Sequence, residues 1–380
     1  MPALLLIAPV MATAKLLTTL LVAATAQRDC ACDPSLGLAC AEARIAPWER
    51  DWRDLRCDLR CCAEAATRAL GWDAAVAAKG QADPYGALVG GRSLRPFCDG
   101  ELGWDRKRRA YAYRPLSPPP PDRAAVVVYF RGIGPGSRET RDARSPLLAA
   151  EAAARALNRS AALLIVAGDA TFPPPGTAPV AGVDVWAANP GPGATALPLG
   201  VSAGPNARYA RVVDGLLAAP APGLADRPRR LLCRGYRVDD ARAAALARVG
   251  EFFEGCGPGR LDRDAYFAAL RESRFVLCPR GFGDATFRFY EALLAGAVPV
   301  VDTAGDPGLA ALYADFPVVE LASFDELSPA VLDAAERDLA ARRLDLRRAF
   351  LPYWIGRIAR DARPRERPPR PQPPRELTAR

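Results

Sequence analysis

The chain has 380 residues, a net charge of +8 and no histidine. The absence of histidine excludes a Ser-His-Asp or Cys-His nucleophile, an HExxH zinc site and a histidine general base. A general base must therefore be a carboxylate, a cysteine, a tyrosine or a lysine with a shifted pKa. The positive charge is nearly all arginine, and alanine, proline and glycine are also abundant, which is typical of a coding bias. We therefore expect no nucleic-acid partner.

Residues 1–26 are predicted to be a signal peptide or an uncleaved signal anchor. The segment is apolar apart from Lys15 and a few threonines, and it ends in Ala24-Thr25-Ala26, which fits the small-x-small cleavage pattern. The stretch is also long enough to span a bilayer, although a charge at its centre would cost about 2.5 to 3.5 kcal/mol. A transit peptide is a weaker alternative because the segment lacks arginines. Both main interpretations place the chain in the secretory pathway, and membrane attachment is expected only with an uncleaved anchor.

Residues 28–116 are predicted to form a Cys-rich region held together by disulfides. This density of cysteines suits an oxidising lumen, and the pairing cannot be deduced from the spacing. A zinc site is disfavoured because closely spaced cysteines in this region do not form Cx2C pairs. The seven cysteines of the region are Cys30, Cys32, Cys40, Cys57, Cys61, Cys62 and Cys98.

Residues 122–220 are predicted to form a first Rossmann-like domain, after a proline-rich linker at 117–121. An unbroken apolar run at 124–130 predicts a buried strand of a parallel sheet. A helix at 146–157 and a second strand at 162–167 complete a βαβ unit. The remaining predicted elements of this half are a strand at 183–186 and a helix at 209–218.

Residues 228–355 are predicted to form a second Rossmann-like domain, after a hinge at 220–228. The fold class is therefore α/β, with two such domains facing a cleft, ligands at the carboxyl ends of the strands and a Cys-rich N-terminal extension. The Pro/Arg-rich tail at 361–380 is predicted to be disordered. The predicted strands of this half are 230–233, 275–278, 298–301 and 317–319, and the predicted helices are 240–253, 263–272, 284–295, 309–313 and 329–350.

A strand, a glycine loop, a helix and a second strand follow one another in the middle of this second domain. Gly281 and Gly283 allow the main chain to approach a ligand closely, and the start of the next helix offers N–H groups and a positive dipole end to a diphosphate. Thr286, in the first predicted turn, can donate a hydroxyl hydrogen bond, and Arg288 can neutralise a phosphate charge. Glu291 lies three residues further along the same helix face and can accept bonds from two ribose hydroxyls.

Three sequence blocks of this segment resemble the exostosin family of inverting glycosyltransferases. The blocks are Ser273-Arg-Phe-Val-Leu-Cys-Pro-Arg-Gly281, Arg288-x-x-Glu-Ala292 and Gly296-x-Val-Pro-Val-Val301. The resemblance is clear over about 228–325, faint over 124–220 and absent before 110. It implies the GT-B arrangement of two Rossmann-like domains, of which the C-terminal one binds a nucleotide sugar and the N-terminal one the acceptor.

The resemblance implies an inverting transfer of a sugar from a nucleoside-diphosphate sugar, with UDP favoured, to a glycan or glycoprotein acceptor. The donor is a substrate, and no cofactor is expected. The implied location is the Golgi lumen or membrane, with secretion as the alternative. The donor-binding residues that the resemblance implies are Arg280, Gly281, Arg288 and Glu291. Gly283 and Thr286 are also predicted to bind the donor, because of their positions in the glycine loop and at the start of the helix.

Two other functions remain open from the sequence. Alpha-1,3-fucosyltransferases have a related Glu-rich helix and a Val-Pro-Val-Val strand, so they are a competing subclass. A non-catalytic glycan-binding protein on a glycosyltransferase scaffold is the alternative from another class. Thr286 and Phe287 also stand where exostosin relatives usually carry Ser and Pro before the arginine.

The metal and the general base depend on acidic residues outside these blocks. Asp262-Arg-Asp264 is a DxD triplet of the kind that holds a metal in GT-A enzymes, but an N-cap for the helix at 263–272 explains it more simply. A metal-independent mechanism is therefore expected. The candidate bases on loops of the first domain are Glu139, Asp169 and Asp184, and Asp169 is favoured because it directly follows the strand at 162–167.

Two further features bear on the compartment and on the chemistry of sulfur. Asn158-Arg-Ser160 is an N-glycosylation sequon, consistent with a lumenal chain. Cys278 is expected to be a buried thiol or a disulfide partner of Cys233 or Cys256. A catalytic thiol is disfavoured because no histidine is present to activate it.

Overall fold

The structure is a computed structural model of the chain. It describes residues 94–95, 98–105, 107–116, 124–131, 144–168, 170–200, 222–235, 240–257, 259–281, 283, 285–303, 307–314, 316–341, 348, 354, 357–358 and 361. The predicted signal segment, the predicted Cys-rich region up to residue 93, the predicted helix at 209–218 and the tail beyond residue 361 lie outside the described residues.

A six-stranded sheet forms the first half of the described chain. Its strands lie in the order β2-β1-β3-β4-β5-β6, and all are parallel except β2, which pairs antiparallel with β1. Helix α1 (Arg144–Ala156) connects β3 to β4 and confirms the predicted βαβ unit. The strands are β1 (Gly100–Asp105), β2 (Ala110–Pro115), β3 (Ala125–Arg131), β4 (Ala161–Ala167), β5 (Val183–Ala187) and β6 (Thr195–Ala196).

The β1–β2 hairpin lies within the stretch that the sequence pattern assigns to the Cys-rich region. β1 pairs with β3 over three residues, with Gly100 opposite Val128. The fully buried carboxylate of Asp99 accepts a 2.7 Å hydrogen bond from the Val127 amide, which fixes the start of β1 against β3. The first sheet therefore includes two strands that precede the proline-rich stretch predicted as a linker.

A four-stranded parallel sheet forms the second half, in the order β10-β9-β8-β7. Its alternating strands and helices confirm the predicted α/β class. No helix in the described ranges is long and apolar enough to cross a membrane. The strands are β7 (Arg229–Leu232), β8 (Ser273–Leu277), β9 (Val298–Asp302) and β10 (Val319–Leu321), and the helices are α2 (Asp240–Gly250), α3 (Arg263–Glu272), α4 (Phe287–Leu294), α5 (Pro307–Tyr313) and α6 (Pro329–Ala341).

Several predicted boundaries differ from the structure by two or three residues, among them the end of α2, at Gly250 rather than 253, and the start of α5, at Pro307 rather than 309. β10 begins two residues later than the strand predicted at 317–319, because Pro317 has no amide donor and pairing with β9 starts at Val319. Helix α6 is described to Ala341, and residues 342–347 of the predicted helix lie outside the described residues. Helix α4 begins at Phe287 rather than at 284.

The two sheets share one hydrophobic core. A continuous cluster of buried side chains includes Val127 and Ile165 of the first sheet together with Leu232 and Val276 of the second. Helix α4 belongs to the same cluster, and six of its eight residues are buried. The helix predicted to bind the donor is thus fixed by packing, so its position is determined by both halves.

Arg227 ties the ends of two helices together inside the second half. Its side chain is 1% exposed and donates hydrogen bonds to the carbonyl oxygens of Ser273 at 3.0 Å and Ala295 at 2.9 Å, next to the ends of α3 and α4. Burial, with a smaller contribution from the nearby charge of Arg271, lowers the pKa of Arg227 to about 10. The guanidinium is therefore charged at neutral pH, and main-chain carbonyls replace its hydration.

Candidate functional site

The carboxyl ends of three parallel strands meet at one edge of the second sheet. Arg234 and Gly235 follow β7, Arg280 and Gly281 follow β8, and Asp302 ends β9. In open α/β sheets this edge is where ligands bind. The structure thus brings the sequence-predicted Arg280 and Gly281 to the expected place, beside residues of two neighbouring strands.

Arg288 reaches this edge from the first turn of α4. Its guanidinium donates to the carbonyl oxygens of Arg234 at 3.0 Å and Gly235 at 2.7 Å. Its Cζ also lies 4.8 Å from the centre of the Tyr266 ring, a cation–π distance. Three contacts therefore orient this predicted phosphate ligand, two of them to the loop after β7.

Glu291 lies one turn further along α4 and is 8% exposed. The Tyr266 phenol, on α3, donates a 2.7 Å hydrogen bond to its Oε2 atom. Burial raises the pKa of Tyr266 well above its ordinary value, and the neighbouring Glu291 raises it further while Arg288 opposes the change. The phenol therefore remains protonated and serves as a donor to the carboxylate.

Arg242, on α2, lies against the glycine loop that follows β8. Its Nε donates to the Arg280 carbonyl oxygen at 3.0 Å. A Cβ added to Gly281 would lie 2.4 Å from the Arg242 Nη2 atom, so the end of this guanidinium lies directly against the glycine. The Arg280 side chain has its Nη2 atom 3.8 Å from the Asp302 carboxylate. Together with Arg288 and Arg234, these residues give the edge a strongly positive character.

The start of α4 differs from the prediction. Thr286 is the N-cap residue in an extended conformation, with φ −127° and ψ 146°, and its side chain makes no capping hydrogen bond. It therefore lies before the first turn and not within it. Gly283 accepts a hydrogen bond at its carbonyl from the Gly281 amide (3.1 Å), so the two predicted glycines form one tight turn.

Asn189, which follows β5, links the glycine loop to the first half. It is 1% exposed, its Nδ2 donates to the Gly168 carbonyl oxygen at 2.9 Å, and its Oδ1 accepts from the Ala285 amide at 2.8 Å. The bond to Ala285 fixes the main chain one residue before Thr286, the N-cap residue of α4.

The candidate bases fall into two groups. Asp169 and Glu139 lie outside the described residues. Gly168, which precedes Asp169, lies at the carboxyl end of β4, the edge where a ligand-facing carboxylate is expected. Asp184 is exposed near the amino end of β5, away from the carboxyl edge, so its position does not favour a role as a base.

The acidic triplet of α3 has the predicted capping role. The Asp262 side chain accepts a 2.9 Å hydrogen bond from the Ala265 amide, and Asp264 lies in the first turn of the helix. Among the described residues, no group of three or more potential metal ligands comes together.

The cysteines of the second half resolve the alternatives left open by the sequence. Cys233 and Cys256 form a disulfide. Cys278 is a buried thiol 3.3 Å from the Val276 carbonyl oxygen, and burial raises its pKa to about 12. This thiol is protonated at neutral pH and is not a nucleophile. Cys98, predicted to belong to the disulfide-linked region, is buried with its Sγ 3.3 Å from the Leu94 carbonyl oxygen.

Three residues of this site were not predicted: Arg242, Tyr266 and Asn189. Each makes a hydrogen bond with a residue that is distant in sequence. The partners are Arg280 for Arg242, 38 positions away, Glu291 for Tyr266, 25 positions away, and Ala285 for Asn189, 96 positions away. The only local signal was the position of Tyr266, on the helix that directly precedes β8.

Residues 260–355 match the family model of the RXYLT1 C-terminal domain. The match covers about a quarter of the chain and contains Tyr266, the glycine loop, Arg288 and Glu291. It supports, at the level of family, an exostosin-like glycosyltransferase. No curated protein matches the chain.

Proposed function

We propose that the chain is an inverting glycosyltransferase that moves a sugar from a nucleoside-diphosphate sugar, with UDP favoured, to a glycan or glycoprotein acceptor. The observation that carries the proposal is that Arg288 and Glu291 lie on one face of α4. This face is at the carboxyl edge of a parallel sheet and within the matched segment. This arrangement offers a cation for the diphosphate next to a buried carboxylate for the ribose.

The diphosphate is the group that the arginines suit best. Arg288 and Arg242 contact the loops after β7 and β8, and Arg280 belongs to the second of these loops. Guanidinium groups form bidentate, charge-assisted hydrogen bonds with phosphate oxygens. They would stabilise the negative charge that develops on the leaving nucleoside diphosphate, which makes a metal-independent reaction the simplest form of the proposal.

Glu291 suits the ribose. The Glu291 carboxylate accepts the Tyr266 hydrogen bond at Oε2, and a carboxylate has lone pairs enough to accept from a ribose hydroxyl as well. The carboxylate is held on a rigid helix, so little conformational entropy is lost when it binds.

The acceptor chemistry requires a carboxylate from the first half. An inverting transfer occurs in one displacement: the base removes the acceptor hydroxyl proton, the oxygen bonds to the anomeric carbon, and the bond to the diphosphate breaks with its electron pair. Asp169 is the proposed base, because Gly168 at the end of β4 is joined through Asn189 to the loop that precedes α4.

The proposed compartment is the Golgi lumen or membrane, with secretion as the alternative. The Cys233–Cys256 disulfide suits an oxidising compartment. Asn158 of the sequon is exposed in a turn after α1, where a glycan would not disturb the core.

The test is binding of nucleotide sugars to the protein produced through a secretory host. We expect one or more members of a panel to bind, and we expect Arg288→Ala and Glu291→Ala to weaken that binding at least tenfold, about 1.4 kcal/mol or more. Arg155→Ala, at an exposed arginine on α1, is the matched control and should bind as the wild type does. Binding by no member of the panel, or equal binding by all variants, would exclude the proposal, and binding without turnover would favour a glycan-binding protein.

A further inference from the structure

Asn189 is a buried side chain whose two polar ends bind main-chain groups of two different halves. Its Nδ2 donates to the Gly168 carbonyl oxygen, at the end of β4, and its Oδ1 accepts from the Ala285 amide, in the loop before α4. One neighbour is an acceptor and the other a donor, so only one orientation of the amide satisfies both. At 1% exposure, water cannot replace either bond without opening the core.

The first half holds Asn189 firmly. Its carbonyl oxygen accepts a 2.9 Å hydrogen bond from the Phe172 amide, and the Phe172 carbonyl oxygen accepts one of 2.9 Å from the Gly191 amide. Phe172 and Pro190 also form a parallel bridge. Together with the bond to Gly168, these contacts fix both the main chain and the side chain of Asn189, so its Oδ1 is a fixed acceptor that faces the second half.

Ala285 is the point at which the first half holds the glycine loop. The residue is 4% exposed and lies two positions before the first residue of α4. Its amide precedes the helix and has no acceptor within the helix itself. On the other side of the loop, Gly281 is held by its bond to the Gly283 carbonyl oxygen and by the Arg242 guanidinium. The Asn189 bond therefore fixes the end of the loop that leads directly to Arg288.

We propose that Asn189 is a positioning residue that sets the conformation of the glycine loop from the first half of the molecule. It connects the end of β4, which carries Gly168, to the loop that orients the start of α4. This inference rests on the proposed function, in which the glycine loop binds the nucleotide. On that basis, Asn189 links the half proposed to bind the acceptor to the half proposed to bind the donor. Loss of the bond should loosen the loop and weaken nucleotide binding, although Asn189 itself touches no substrate.

The test compares three variants of the full chain. Asn189→Leu has a similar volume and removes both hydrogen bonds. Asn189→Asp keeps an oxygen acceptor for the Ala285 amide, but it replaces the donor to Gly168 and places an ionisable carboxyl group in the core. Val166, on β4, is buried in a hydrophobic cluster other than the one that contains Ala285 and α4. Val166→Ala therefore lowers the stability of the first half without changing a contact of the glycine loop.

The first measurement is hydrogen exchange of the Ala285 amide without any ligand. We expect exchange to be about tenfold faster in Asn189→Leu, the equivalent of one hydrogen bond, and close to wild type in both Asn189→Asp and Val166→Ala. Unchanged exchange in Asn189→Leu would overturn the proposal. An equal increase in Val166→Ala would do the same, because it would assign the effect to general loss of stability.

The second measurement is the affinity for UDP. We expect Asn189→Leu to bind at least threefold more weakly than Asn189→Asp, and equal affinities would overturn the positioning role. If the wild type binds no nucleoside diphosphate, the proposed function fails, and the exchange measurement still decides whether Asn189 sets the loop. The two failures are therefore distinguishable.

Discussion

The Tyr266 phenol donates a 2.7 Å hydrogen bond to the Glu291 carboxylate, which joins α3 to α4 beneath the carboxyl edge of the second sheet. The same ring lies under the Arg288 guanidinium at 4.8 Å. One partly buried tyrosine therefore contacts both of the charged residues that we propose to bind the donor. The aromatic ring contacts the Arg288 guanidinium and the hydroxyl donates to the Glu291 carboxylate. The two opposite charges therefore lie close together while each also has a contact with Tyr266.

Tyr266→Phe is expected to separate these two contributions. The ring and its contact with Arg288 remain, whereas the buried Glu291 carboxylate loses a donor. We expect the free energy of unfolding to fall by about 1 to 2 kcal/mol and UDP-sugar affinity to fall severalfold. Urea denaturation and titration calorimetry measure the two quantities.

Glu291→Gln is the matched control for that variant. Its amide oxygen still accepts from the Tyr266 hydroxyl, so stability should change by less than in Tyr266→Phe. Donor affinity should fall more, because the charged acceptor for the ribose is gone. The reverse order of the two effects would contradict the role assigned to this pair.

Local patterns predicted most of the elements in this chain. β3 and β4 are unbroken apolar runs, and α3 has an N-cap aspartate directly before its first residue, so both kinds of signal are contained within about ten residues. Their bounds in the structure agree with the prediction to within one residue for these three elements. An unbroken apolar run and an N-cap aspartate are both patterns of neighbouring residues, which is why the sequence alone reveals them.

The details of the site depend on contacts between distant residues and could not be predicted. The main chain just before α4 is held by the bond between Asn189 and Ala285, which are 96 positions apart. The sequence around Thr286 gives no indication of that bond. Arg242 is one of many arginines in the chain, and only the fold places its guanidinium beside Gly281. The residue types of the donor site were predictable, but the partners that orient them were not.

Arg227 is expected to be a determinant of stability. Arg227→Met keeps much of the buried volume and removes the charge, but it also removes the side-chain donor to the carbonyl oxygens of Ser273 and Ala295. We expect the free energy of unfolding to fall by about 3 kcal/mol, measured by urea denaturation. Arg274→Met, at a half-buried arginine of the same region, serves as the control and should cost less. Equal losses would show that the two carbonyl contacts of Arg227 contribute little.

Cys278 is expected to resist alkylation in the native protein. Burial raises its pKa from 9.0 to about 12, so at pH 8 the thiolate fraction falls about a thousandfold and labelling by iodoacetamide should be slow. Labelling should become rapid in 8 M urea at the same pH, which peptide mass spectrometry can measure. Rapid native labelling would contradict the burial of this thiol.

The same pKa shift predicts the sign of a pH effect on stability. The unfolded thiol loses its proton at a lower pH than the folded one, so the folded state binds more protons between pH 9 and pH 12. Stability should therefore fall as pH rises through this window. Cys278→Ala removes the titrating group, and its stability should fall less steeply with pH over the same range.

The Cys233–Cys256 disulfide should stabilise both the second half and the position of Arg288. The bridge spans 23 positions, a loop length for which the chain-entropy model gives about 3 kcal/mol. Cys233 directly precedes Arg234 and Gly235, whose carbonyl oxygens accept from the Arg288 guanidinium. In the Cys233→Ser/Cys256→Ser double variant, we expect the free energy of unfolding to fall by about 3 kcal/mol and UDP-sugar affinity to fall as the loop after β7 becomes mobile.

Adding Arg288→Ala should then reduce affinity less than it does in the wild type, because the carbonyl contacts that orient Arg288 are already weakened. Additive losses of affinity in this double-mutant cycle would show that the disulfide and Arg288 act independently.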